Sequence, residues 1–295
     1  MRILLLLTSV ALVMRVQGPT PLETRGAIVR TYASTMVSTP PADLKLDPFY
    51  VKYADAGGIA VVASINTDDA AVLIARDIVN AMLAKRPDVR KVMVERGGRI
   101  SIMSEKEQQL DLPEYRDWKK PAKDDRRLTP GERERYDLPG GIASMTDAQY
   151  WNNRARGMGG IRTSCAEENL LGVPGTKYYG EHICVHEFSH GIMSAVRTAD
   201  PALYAEIEAA YKEAKTAGRF LKHYAENTVA EYWAEGTQWW FESNFAWTSP
   251  EGAEIYTADS LKAYDPTLYD ILSRVYDTHH IVADVYSGKR LRNKR

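Results

Sequence analysis

The segment Ile183-Cys184-Val185-His186-Glu187-Phe188-Ser189-His190-Gly191-Ile192-Met193 constrains this chain more than any other stretch. It is an apolar run carrying the pattern His-Glu-x-x-His. On an α-helix, residues four apart are neighbours, so His186 and His190 project from one face and can share a tetrahedral ion. Glu187 lies a third of a turn round. It is too close in sequence to bind the same ion comfortably, but it can reach a water beside that ion. The apolar frame buries such a helix, which excludes bulk water and strengthens the ion's field. The plain alternative is a pair of buried, hydrogen-bonded histidines, and the rest of the chain decides between the two.

A catalytic zinc keeps three protein ligands and one open position. The elongated pattern His-Glu-x-x-His-x-x-Gly-x-x-His would need glycine at 193 and histidine at 196; the chain has Met193 and Val196. A glutamate on a second helix is the remaining choice. Asn227 can cap a helix from Thr228, on which Glu231 and Glu235 share a face amid Tyr232, Trp233, Trp239 and Trp240. Carboxylates on a buried aromatic helix are costly unless something cationic faces them. Glu231 is therefore the expected third metal ligand. Glu235 is its outer partner, accepting the far N–H of a ligand histidine. One zinc ion per chain is the expected cofactor.

The two-motif pattern, His-Glu-Phe-Ser-His with Tyr-x6-Glu-Tyr-Trp-Ala-Glu, resembles the anthrax lethal factor-like branch of the gluzincin metallopeptidases over roughly residues 179–241. The resemblance implies that Tyr224, seven residues before Glu231, stabilises an oxyanion; His223 is a weaker candidate for that role. It implies a zinc metalloendopeptidase acting on a protein or peptide substrate through a zinc-activated water, with Glu187 as base. The pattern of elements points to an α+β, zincin-like fold with a small mixed sheet lobe and a mainly helical C-terminal lobe. The peptide would lie in the cleft between them as an added strand. The chain departs from the family in having Cys165 and Cys184 close to the site.

Composition bounds the setting. With 38 Lys+Arg against 39 Asp+Glu, the chain lacks the clustered positive excess that nucleic acid requires, the basic tail 289–295 apart. Arg2, the apolar run Ile3 to Met14 and the small residues before Pro19 have the layout of a cleavable signal peptide, residues 1–18, too short to span a bilayer. The mature chain is expected to be secreted, without stable membrane insertion. In an oxidising compartment the only two cysteines, Cys165 and Cys184, are expected to pair.

Residues 19–47 read as a linker or pro-segment and 48–295 as the catalytic domain, with a sheet lobe at about 48–178 and a helical lobe at about 179–295. Strands are expected over 49–53, 59–64, 92–94 and 99–103, and a helix from Ala70 to Lys85 that Arg86-Pro87-Asp88 stops. Residues 104–145 form a long polar connection. The glycine-rich Arg154–Gly160 lacks the Gly-Lys-Ser/Thr ending of a phosphate loop. Glu167-Glu168 reads as groove lining or a solvated turn, His182 as a helix-surface residue, and His279-His280 as structural. Asp200-Pro201 and Asp265-Pro266 each open a helix. Two rival functions stay open: a zinc metallohydrolase acting on a non-peptide amide or ester, and a secreted binding or matrix protein with a vestigial site. The intact Glu187 argues against the latter, because metal storage needs no base.

Overall fold

The computed structural model describes residues 36–125 and 128–288; the expected signal peptide, most of the 19–47 segment and the basic tail lie outside them. The chain starts with β1 (Lys52–Asp55) and β2 (Ala60–Ala63), joined by a tight turn in which the Asp55 carboxylate accepts the Gly58 N–H. Helices α1 (Asp69–Met82) and α2 (Pro87–Glu95) lead to β3 (Arg99–Met103). The long connection carries α3 (Pro130–Glu134) and α4 (Asp147–Arg154) before β4 (Arg162–Ala166). The remainder is mostly helical: α5 (Glu167–Leu170), α6 (Ile183–Ala199), α7 (Pro201–Thr216), α8 (Val229–Trp240), α9 (Ala258–Tyr264) and α10 (Pro266–Val275), with the small pair β5 (Trp247–Thr248) and β6 (Glu254–Ile255). The architecture is α+β, a small mixed sheet with a mainly helical remainder.

The sheet runs β1-β2-β3-β4, antiparallel at β1–β2 and parallel thereafter. Strand alternation sorts its side chains between two cores. Val61, Ala63, Ile100, Ile102 and Cys165 join α1 and α6 in the main core, while Val62, Met103 and Ala166 meet Tyr50, Leu112 and Tyr115 on the other face. The long connection is tied down by its own cluster of Leu128, Ile142, Tyr150 and Trp151. Among the described residues, no helix is long and apolar enough to cross a membrane.

Several expectations need correction. Val92–Val94 is not a strand; it lies inside α2. Pro87 sits in that helix's first turn, where its missing N–H costs nothing, so it opens a new helix; the preceding one has already ended at Met82, short of the expected Lys85. Val89 and Met93, four apart, are the buried face. His182 is fully buried and caps α6, its Nδ1 accepting the Val185 N–H at 3.3 Å. Glu168 is buried against Arg156 and Glu167 accepts the Asp68 and Glu105 N–H groups, so neither is a solvated turn. Thr228, not Asn227, caps α8. As expected, Asp200 and Asp265 cap α7 and α10 through the Leu203 and Leu268 N–H groups.

Candidate metal centre

Helix α6 enters the site from a fixed frame. Asn169 accepts the Ile183 N–H at 2.8 Å and donates to the Tyr178 and Glu181 carbonyls, so it holds the chain at the helix start. Free N–H groups at a helix start need such partners. The Cys165–Cys184 disulfide joins the last strand of the sheet to the same turn, two residues ahead of His186. Helix α8 packs across α6, and the Trp233 indole donates to the Ser189 carbonyl at 3.0 Å.

This crossing brings His186, His190 and Glu231 together. One donor atom from each lies within 4.8 Å of the others. Glu231 Oε2 is 3.0 Å from His186 Nε2 and 3.6 Å from His190 Nε2. Ligands about 2.0–2.2 Å from a tetrahedral ion stand about 3.3 Å apart, so these spacings fit one ion held by two imidazoles and a carboxylate. The cluster is compatible with a divalent metal.

The electrostatics agree with a site built for positive charge. Burial pushes the His186 imidazole down, but its bond to Glu231 and the charges of Glu187, Glu231 and Glu235 outweigh this and raise it to about 10. Burial and the charge on His186 lower His190 to about 4. Burial alone would raise Glu231; the two histidines and a hydrogen bond from Tyr224 instead hold it below the usual carboxylate range. Burial raises Glu187 to about 7, with Glu231 adding to the rise, against the His186 charge and an N–H bond from Gly159.

The glycine-rich segment lies directly on this helix. A Cβ at Gly159 would come within 2.5 Å of His190 Cδ2, one at Gly157 within 2.7 Å of Ile183 Cγ2, and one at Gly191 within 2.4 Å of the Gly160 carbonyl oxygen. The glycines permit close backbone approach to the helix face that carries His190. The buried Arg156 anchors the segment through Nε to Glu168 at 2.7 Å, Nη2 to Glu168 at 2.8 Å and further bonds to the Glu107 and Ser104 carbonyls. Met158 forms one antiparallel bridge with Ser164, which ties the segment to β4 beside the site.

The centre opens into a cavity of about 930 Å³. The segment Gly157-Met158-Gly159-Gly160 forms one wall and Phe245–Trp247 another, while Glu132 and Arg154, an ion pair, bring in the long connection. Tyr224 lies at its rim on a short helical turn, 47% exposed, with its ring centroid 6.4 Å from that of His186. His223 faces Trp239 and Trp247, and its Nε2 is 4.0 Å from Glu235. Glu235 is buried; Asn244 donates to it at 2.6 Å, and it lies 3.8 Å from His186 Nδ1. The group that bonds that nitrogen is Gln238, at 2.9 Å. Residues 231, 235 and 238 share one helical face, and that spacing is the signal in the sequence that points to Gln238. His279 packs on Trp240 and His280 bonds Ser287, away from the cavity.

No protein-family profile matches the chain, and no curated protein matches it. Among solved structures the chain is similar to a Pro-Pro endopeptidase from Paenibacillus alvei, with 13% identity, coverage of 73% of this chain and 97% of that one, and a TM-score of 0.43. A likeness of that degree leaves the functional reading to the site itself.

Proposed function

We propose that the protein is an exported zinc-dependent endopeptidase in which His186, His190 and Glu231 hold the ion and Glu187 is the general base. The observation that carries the reading is the convergence of those three donors, within 4.8 Å, at a cavity that Glu187 also lines. The two-motif resemblance to lethal factor-like gluzincins points the same way. A leader-like sequence at 1–18 and the disulfide fit an oxidising compartment. The donor set of two imidazoles and one carboxylate suits zinc.

When bound, zinc supplies a Lewis acid that polarises the scissile carbonyl and lowers the pKa of water toward about 7. Glu187 takes the proton of the attacking water. Burial raises its carboxyl and a bound cation would lower it again, which keeps the group ionised as a base before attack. The Gly159 N–H fixes its orientation. Glu187 then passes the proton to the leaving amine. The Tyr224 hydroxyl, now on Glu231, turns to the developing oxyanion, a bond that strengthens as charge builds. An extended substrate would lie in the cavity along the segment Gly157–Gly160, which lines it beside the centre.

The test is a digest of denatured proteins by the purified chain, read by mass spectrometry, with Glu187→Gln as control. We expect discrete peptide-bond cleavages, lost on chelation, restored by zinc and lowered at least about 10²-fold in the control. A fully metal-loaded protein that cuts no peptide bond would overturn the reading.

A further inference from the structure

We propose that Gln238, rather than the nearby carboxylate of Glu235, is the positioning residue that sets the tautomer and orientation of His186 for metal binding. The proposal rests on the assignment of His186 as a ligand. Gln238 is completely buried one turn beyond Glu235 on α8. Its Nε2 donates to the His182 carbonyl at 3.2 Å. A carbonyl can only accept, so that contact fixes which end of the amide faces His182 and turns Oε1 toward His186. The His186 Nδ1 lies 2.9 Å from Oε1 and must therefore carry the hydrogen. Nε2, 3.0 Å from Glu231, is then the nitrogen that gives up its proton and turns its lone pair to a metal.

The frame behind the amide is rigid. The His182 carbonyl also accepts the His186 N–H, and its imidazole caps the helix. Glu235 stands 3.8 Å from the same nitrogen, beyond hydrogen-bond reach, and already accepts from Asn244. A neutral amide also orients the ring without adding a further negative charge to those of Glu187, Glu231 and Glu235.

The experiment is zinc affinity by competition with a chromogenic chelator, on the metal-free full chain, for wild type, Gln238→Met and Glu235→Gln. Methionine keeps the length of the side chain and removes its hydrogen bonds. We expect Gln238→Met to bind zinc about 10- to 100-fold more weakly, and Glu235→Gln to lose less than about tenfold. An affinity in Gln238→Met equal to wild type, or a larger loss in Glu235→Gln, overturns the proposal. Should Gln238→Met fail to fold, nitrogen-15 imidazole NMR of the zinc-loaded wild type decides: we expect His186 protonated at Nδ1 and metallated at Nε2, and the reverse overturns it. A wild type that binds no zinc counts against the metal centre itself, not against the role of Gln238.

Discussion

The Gly159 backbone N–H donates to the Glu187 carboxylate, and the same glycine leaves no room for a side chain against His190. One residue of the glycine-rich segment thus orients the proposed base and abuts a proposed ligand. Gly159→Ala puts a methyl 2.5 Å from His190 Cδ2 and 2.8 Å from its Cβ, atoms of a packed helix that cannot swing away. Overpacking of this kind costs about 1–3 kcal/mol. We expect a lower urea midpoint and weaker zinc binding together; an alanine variant with unchanged zinc affinity would show that the segment only touches the site.

Metal binding is expected to release protons in a pH-dependent number. At pH 8 His186, raised to about 10, still holds its second proton, while His190, lowered to about 4, does not. An ion needs both imidazoles neutral, so about one proton leaves, and the number falls toward zero as pH climbs past 10. Toward pH 6, Glu187, at about 7 without the ion, is protonated as well and adds a second release as the cation lowers its affinity for protons. Calorimetry in buffers of different ionisation enthalpy counts the protons. A number unchanged from pH 6 to pH 10 contradicts this assignment.

Tyr224→Phe removes a hydroxyl whose ground-state partner is Glu231. If it serves the oxyanion, kcat falls by about 10²–10³ while KM and zinc content stay near wild type. A loss confined to KM points to substrate packing at the rim instead.

The disulfide closes a loop across a sequence separation of 19 residues, from β4 to the first turn of α6. Constraint of the unfolded chain by a loop of this size is worth about 3 kcal/mol. Replacing both cysteines by alanine is expected to lower unfolding free energy by about that amount, measured by urea titration. No change would mean that the sheet and helix hold their register without it.

Local periodicity made much of this molecule legible in the sequence. The spacing of His186 and His190 maps onto one helical face without reference to the rest of the chain, and buried carboxylates beside Trp233 and Trp239 call for a cation. Capping aspartates before Pro201 and Pro266 are equally local signals. The misreadings came where a short apolar run has two meanings. Val92-Met93-Val94 suits a strand, yet the burial of Val89 with Met93 belongs to a helix opened by Pro87. Contacts between distant segments left no local trace. The approach of Gly159 to His190, the Arg156–Glu168 anchor and the burial of His182 depend on tertiary packing. Gln238 was missed for a different reason, being an uncharged residue on a face read only for its carboxylates.

The central claim is that two helices meet around one divalent ion, and metal content tests it most directly. Wild type, His190→Ala and Glu231→Ala would be purified, stripped, reloaded with zinc, desalted and analysed for metal by mass spectrometry. The account predicts one zinc per wild-type chain and a large loss of bound zinc in each variant. Stoichiometric zinc retained in Glu231→Ala would contradict it.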